Sequence, residues 1–194
     1  LERSTDIGQA SGTELRADPH THRSTLSAEV YADHVQRAAF IGGESTGKST
    51  LARLLAERLG SRWVPEYGRT LWEQQGGALQ AEDLLRIAAT QARHEDDAAA
   101  DAVRWLFCDT TALVTLGYSG WMFGTAPQAL QQAAMRPYDL LFLCAPDIPF
   151  VQDGTRVGVE FRARQHAWYL QQLQARGVPY VLLEGDLETR IATV

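Results

Sequence analysis

The sequence predicts an α/β fold, a three-layer sandwich in which a mostly parallel five-stranded sheet lies between two layers of helices. Five short apolar runs have few alternating polar positions, as strands buried on both faces do. Segments with helical periodicity separate these runs, which is typical of a parallel sheet. The first run leads into the pattern G-x-x-x-x-G-K-[ST] at residues 42–49. This strand, loop and helix together predict the P-loop NTPase class.

The elements of the first half follow from apolar spacing and from the residues that end each run. Leucines recur at helical spacing after the phosphate-binding pattern, and Gly60 ends that helix. Pro65 ends the second strand, and Gly76 ends the helix after it. The predicted elements are a strand at 38–41, a helix at 49–59, a strand at 62–64 and helices at 66–75 and 82–102.

The second half continues the alternation. Asp109 ends the third strand, and Thr110 and Thr111 begin a further helix. Gly177 ends a long amphipathic helix before the last strand. The predicted elements are strands at 105–108 and 140–143, a helix at 161–176 and a strand at 180–183. In such sheets ligands bind at the carboxyl ends of the strands, so functional residues are expected directly after each strand.

The first 35 residues are polar and have little periodicity, which predicts a linker or the remnant of another domain. The predicted organisation is therefore an appendage at residues 1–36 and a phosphate-loop domain at residues 37–194. The chain starts at Leu1 and stops abruptly at Val194, so we expect it to be part of a longer multidomain protein.

Composition limits the partners. The net charge is −6 and Lys48 is the only lysine, so neither nucleic acid nor an anionic membrane is an expected partner. No apolar run is long enough to span a membrane, and no signal peptide opens the chain. Cys108 and Cys144 end apolar runs without metal-ligand spacing, which predicts buried free thiols in a reducing cytoplasm.

The phosphate-binding pattern predicts ATP and Mg²⁺ as cofactors. Its glycines let successive backbone N–H groups point at one anion, and the helix start adds partial positive charge. The Lys48 side chain can reach the β- and γ-phosphates, and the Ser49 hydroxyl can ligate Mg²⁺. The residues expected to bind the nucleotide are Gly42, Gly43, Glu44, Ser45, Thr46, Gly47, Lys48, Ser49 and Thr50.

Two further strand ends carry charged residues. Glu66 and Arg69 follow the second strand, where they could bind hydroxyls and an anion, or serve as a helix-start carboxylate and a surface arginine. Asp109 follows the third strand. It could approach Mg²⁺ or its water shell, accept a proton from an attacking hydroxyl, or only cap the next helix.

A lid is predicted at residues 147–158, here called the lid segment. Gly154 and Gly158 bracket Arg156, so the segment could close over the triphosphate and neutralise charge on the transferring group, or be a solvated loop. An aromatic cluster contains Tyr118 and Trp121, which could pack in the core or stack on a planar, cationic ring.

Taken together, these segments resemble the ribosylnicotinamide kinase domain of NadR-like proteins, which also carry a nicotinamide-nucleotide adenylyltransferase. The matching segments run in order at residues 42–50, 66–69, 107–110, 118–124, 152–156, 178–181 and 184–185. Residues 10–19 resemble the closing motif of the adenylyltransferase domain, so the appendage is interpreted as its tail, without adenylyl transfer. Thr111 is a departure, because the family pattern often has a second aspartate there.

The resemblance implies ATP-dependent phosphorylation of the 5′-hydroxyl of nicotinamide riboside. It implies catalytic roles for Lys48, Asp109, Arg156 and Glu66, and metal contacts from Ser49 and Asp109. The residues it implies for riboside binding are Glu66, Tyr67, Arg69, Asp109, Tyr118 and Trp121. Two alternatives stay open, a kinase of another nucleoside and an ATP-binding sensor module, and so does a homo-oligomer.

Overall fold

Five parallel strands form one sheet in the structure, a computed structural model that describes residues 12–194. The strands are β1 (Gln36–Gly42), β2 (Arg62–Val64), β3 (Trp105–Cys108), β4 (Leu140–Cys144) and β5 (Val181–Leu183). Their order is β2-β3-β1-β4-β5, so β1 lies in the centre. Because every neighbouring pair is parallel, all strands end at the same edge, and the loops that follow them meet there.

Helices cover both faces of this sheet. Those that follow the first strand are α3 (Lys48–Arg58), α4 (Tyr67–Gln74), α5 (Ala81–Ala99), α6 (Ala112–Phe123), α7 (Gln128–Ala133), α8 (Val159–Arg176) and α9 (Leu187–Thr193). Before β1 lie α1 (Gly12–Ala17), a 3-10 turn at Arg23–Thr25, and α2 (Ala28–Ala32). No helix within residues 12–194 is both long and apolar enough to cross a membrane.

Two hydrophobic clusters lie on opposite faces of the sheet because successive β1 side chains point in opposite directions. Ala38 and Phe40 face the side that α3 covers, where the Phe40 ring stacks on Phe142 with centroids 5.2 Å apart. Ala39 and Ile41 face the larger cluster, to which α5, α6 and α8 contribute. This arrangement confirms the predicted three-layer fold, and the sheet is fully parallel rather than mostly parallel.

The last residues of the predicted linker pack against the phosphate-loop domain. Tyr31 in α2 is 1% exposed and Val35 is 3% exposed, and both belong to the larger hydrophobic cluster. The Arg23 guanidinium lies over the Tyr31 ring at 4.9 Å and donates to the Ala100 carbonyl at 3.0 Å. A five-residue helix is too short to show a repeating pattern, so the sequence did not reveal it.

Other differences are small. The helix predicted at 82–102 ends at Ala99, and the sequence analysis missed α7 and α9. Cys108 and Cys144 are buried free thiols, as predicted. The motif at residues 10–19 begins outside the described residues, so its assignment to another domain stays a prediction.

Candidate active site at the carboxyl edge of the sheet

The phosphate loop joins β1 to α3, and two of its glycines are required by geometry. Gly42 has a φ of 147°, and a Cβ there would lie 2.8 Å from the Cys144 carbonyl oxygen of the adjacent strand. Gly47 caps α3 in the left-handed conformation, with a φ of 82°. The sequence therefore folds into a tight loop that presents the start of α3 to the edge of the sheet.

Two carbonyl groups of the loop accept hydrogen bonds from side chains. The Gly43 carbonyl accepts from the Thr46 hydroxyl at 2.8 Å and from the Lys48 Nζ at 2.9 Å. The Thr46 carbonyl accepts from the Arg190 guanidinium at 2.8 Å. The Lys48 side chain therefore folds over the phosphate loop, where it can reach an anion that the loop N–H groups bind.

A cavity of about 680 Å³ opens beside this loop, large enough for a nucleoside-sized molecule. The phosphate loop forms one wall, α4 and α5 form the second, α6 forms the third, and the lid segment with the start of α8 forms the fourth. The predicted residues on its wall are Gly42, Glu44, Ser45, Thr46, Gly47, Lys48, Ser49, Thr50, Glu66, Arg69, Tyr118, Trp121 and Arg156.

Three predicted residues are not on this wall. Gly43 lies against α8, where a Cβ would be 2.9 Å from the Arg162 carbonyl oxygen. The Tyr67 ring instead contacts His94 edge to face, with centroids 5.4 Å apart. Asp109 is 2% exposed and lies deeper than the cavity surface.

Two carboxylates near the phosphate loop have raised pKa values. Burial raises the pKa of Asp109 to about 7, the Glu66 charge adds to this, and Lys48 opposes it. Burial also raises the pKa of Glu66, against the nearby charges of Lys48 and Arg69. Both groups therefore hold protons more strongly than ordinary carboxyls, as acid–base groups in active sites often do.

The donor set fits Mg²⁺. Asp109 Oδ1 is buried and has no hydrogen-bond partner, and Ser49 lies in the first turn of α3, where it favours the charged form of Asp109 by lowering its pKa. Within residues 12–194 no cluster of three or more metal-ligating side chains occurs. That pattern suits Mg²⁺ because this ion binds through one carboxylate or two, with phosphate oxygens and water completing its shell.

Aromatic rings form the wall opposite α4. The Trp121 ring lies edge to face with Tyr118 at 5.4 Å and with Phe161 at 5.3 Å between centroids. The Tyr118 hydroxyl accepts from Gln165 at 3.2 Å and donates to the Glu44 carboxylate at 3.4 Å. Burial raises the pKa of Tyr118, so its hydroxyl stays a donor at neutral pH.

Residues outside the lid segment bind it, and further polar contacts lie within the segment. Arg69 donates to Asp153 at 2.7 Å, and this contact lowers the Asp153 pKa. The Glu44 carboxylate accepts from the Val157 N–H at 2.8 Å. Arg156 pairs with Asp153 at 3.2 Å and donates to the Val151 carbonyl. The lid segment therefore forms one wall of the cavity, and the charge of Arg156 is neutralised by Asp153 of the same segment.

Sequence reasoning missed several residues that shape the site. Phe161 and Trp72 line the cavity, and Gln165 binds the Glu44 N–H at 2.8 Å as well as Tyr118. Arg190 contacts the loop from α9. Phe161 and Gln165 are one helical turn apart, so their spacing was the available signal, whereas nothing in the sequence links Arg190 to the loop.

Comparisons with known proteins find a matching family model and curated relatives of this chain. Residues 37–190 match the model of a family described as "AAA domain". The chain is 34% identical over 190 residues to the trifunctional NAD biosynthesis/regulator protein NadR of Salmonella typhimurium strain LT2, covering 93% of this chain and 46% of that protein. The chain therefore spans about half the length of that curated relative.

Two solved structures agree with this match in fold. A NadR protein in complex with NR superposes with a TM-score of 0.76 at 24% identity, over 92% of this chain and 55% of that one. A NadR protein in complex with NAD and AMP-PNP gives a TM-score of 0.75 at 22% identity, over 93% and 53%. The predicted resemblance is confirmed by these findings.

Proposed function

This chain belongs to the family described as "AAA domain", whose model matches residues 37–190, and we propose that it is an ATP-dependent kinase that phosphorylates the 5′-hydroxyl of nicotinamide riboside. The observation that carries the proposal is that the phosphate loop, the aromatic rings, the acidic side chains and the lid segment all line the same cavity. The relatives named NadR, one of them in complex with NR and another with AMP-PNP, support the same substrates.

The pocket suits a riboside whose base is a cation. The Tyr118 and Trp121 rings line one wall, and an aromatic ring attracts a positive charge placed against its face. The Glu44 and Glu66 carboxylates line the same cavity and add negative charge. A pyridinium ring attached to ribose satisfies both features, whereas a neutral pyrimidine nucleoside satisfies only the stacking.

Mg²⁺ would be held by Ser49 and Asp109, and when bound it would neutralise charge on the β- and γ-phosphates. Lys48 and the loop N–H groups orient the triphosphate. Asp109 would assist the metal or accept the hydroxyl proton as the riboside oxygen bonds to the γ-phosphorus and ADP leaves. Arg156 stabilises the transferring group from the lid segment, and Arg69 with Glu66 orients the ribose. These residues supply positioning and electrostatic stabilisation.

The remaining parts of the proposal concern the setting of this domain. We place the kinase unit in the cytoplasm and within a longer multidomain protein. Two buried free thiols and the half-length match to the relative support this setting. Residues 1–36 are proposed to be the tail of an adenylyltransferase-like domain and a linker.

The test is detection by mass of a phosphorylated product after the chain is mixed with Mg-ATP and nicotinamide riboside. We expect the mononucleotide and ADP in equal amounts, and no product from Lys48→Ala. Uridine, whose base is neutral, should react more slowly. Nicotinic acid riboside should also react more slowly, because its base carries an added negative charge. Equal rates on uridine would favour a general nucleoside kinase, and ATP binding without product from any riboside would favour a sensor module.

A further inference from the structure

Arg190 on α9 is a fully buried cation that ties three segments together. Its side chain is 1% exposed, and Nε donates to the Gly185 carbonyl at 2.8 Å. Nη1 donates to the Thr46 carbonyl at 2.8 Å, and Nη2 donates to the Ala145 carbonyl at 3.0 Å and to the Asp147 carboxylate. One guanidinium therefore holds the phosphate loop to the ends of β4 and β5.

The contact with Thr46 controls the direction of a loop N–H. The peptide between Thr46 and Gly47 is trans, as is every peptide of the described residues, so its carbonyl and its N–H point in opposite directions. The carbonyl is fixed toward Arg190. The Gly47 N–H must then face away from Arg190, toward the side where an anion binds at the start of α3.

The partners of Arg190 also fix its own orientation. Asp147 accepts from Arg190, and its other carboxylate oxygen accepts from the Gly185 N–H at 2.6 Å. The guanidinium donates from all three nitrogens within a fixed plane, which lysine cannot reproduce. A buried ion pair is seldom more stabilising than apolar residues of the same volume, so a gain in stability alone is a weak explanation for a charge at this place.

We propose that Arg190 is a positioning residue that holds the phosphate loop in its anion-binding conformation. This inference rests on the part of the proposed function in which the loop binds ATP, and it is independent of the identity of the phosphate acceptor. Arg190 touches the loop backbone rather than the substrate, so it acts through the loop.

The test compares Arg190→Lys with the unmodified chain by calorimetric titration with Mg-ATP and, separately, with nicotinamide riboside. We expect the Kd for Mg-ATP to rise about tenfold, because the charge-assisted hydrogen bond from the Gly47 N–H to phosphate is lost or misdirected. The Kd for the riboside should stay within about twofold, because none of the four Arg190 contacts reaches the aromatic wall. Steady-state kinetics should show the same split, with KM for ATP raised more than KM for riboside.

Arg176→Met is the matched control. Arg176 on α8 also donates to a backbone carbonyl, that of Ala134 at 2.9 Å, but it lies away from the phosphate loop. Its loss should lower the melting temperature without changing either Kd. If Arg190→Lys lowers the melting temperature but leaves the Kd for Mg-ATP unchanged, its role is structural and the inference is wrong.

Asp147→Asn keeps the test decisive if Arg190→Lys does not fold. This variant leaves the guanidinium in place but removes the carboxylate that orients it, so the Kd for Mg-ATP should rise about threefold. An unchanged value would again overturn the inference. If the parent chain binds Mg-ATP but phosphorylates no riboside, the proposed function is wrong. The Kd values for Mg-ATP still test the role of Arg190 in that case.

Discussion

Replacing Glu95 by glutamine should make the protein more resistant to unfolding at alkaline pH. Glu95 on α5 is 0% exposed and contacts Arg136 at 3.0 Å and Tyr138 at 3.1 Å. Burial raises the pKa of Glu95 from 4.5 to about 7, although Arg136 and Arg37 oppose the shift. The folded protein therefore binds this proton more tightly than the unfolded chain does, and it loses stability as pH rises from 4.5 through 7.

The size of the effect follows from the two pKa values. Well above pH 7 the shift corresponds to roughly 3 kcal/mol of lost stability. Part of that loss has already occurred at about pH 5.5, so the change between about pH 5.5 and 8.5 is roughly 2 kcal/mol. Glutamine keeps the shape of the protonated acid and does not ionise. Glu95→Gln should therefore lose about 2 kcal/mol less than the parent over this range.

The measurement is urea unfolding at several pH values, with the parent chain and the variant compared at each. Other buried groups such as Asp109 titrate in both proteins, so their contribution cancels in the difference. Asp96→Asn is the control, because Asp96 contacts the same arginine at 2.5 Å but is exposed. It should keep the parental pH dependence. If Glu95→Gln also keeps that dependence, the buried carboxyl is ionised throughout and the reasoning is refuted.

Three further predictions concern the cavity. Lys48→Ala should lower kcat/KM about a thousandfold in an ADP-release assay, since charge neutralisation supplies most of the catalysis; near-normal turnover would contradict this. Trp121→Leu should raise the KM for riboside about tenfold and leave that for ATP unchanged, and a parallel rise in both would count against the aromatic wall. Gly42→Ala should abolish Mg-ATP binding in calorimetry, because a methyl group would lie 2.8 Å from the Cys144 carbonyl oxygen; normal affinity would disprove that.

The sheet could be predicted from the sequence because each strand is a short apolar run that a glycine, a proline or a polar residue ends. The phosphate loop could be located for a different reason. Its local backbone conformation requires glycine at fixed positions, and this spacing can be recognised in the sequence. Short helices such as α2, α7 and α9 were missed because five to seven residues do not complete enough turns to show a pattern.

The support of the site was less visible because it depends on contacts between distant parts of the chain. Arg190 lies 144 residues from the loop carbonyl that it binds. Arg162 on α8 is buried and donates to the Ser45 carbonyl at 3.3 Å and the Ile148 carbonyl at 2.9 Å. Only the fold brings such carbonyls together, so a residue type and a position along the chain could not identify these roles.

The contacts of Arg156 reconcile its predicted role with its observed place. Its guanidinium pairs with Asp153, the same carboxylate that accepts from Arg69 at 2.7 Å. A carboxylate in that position has the charge and the oxygen atoms that a phosphoryl group would present to the two arginines. The γ-phosphate of ATP would compete with Asp153 for Arg156, and the exchange needs only a change of partner within the lid segment. Because Asp153 and Arg156 are three residues apart, the lid segment carries its own counter-ion for this arginine.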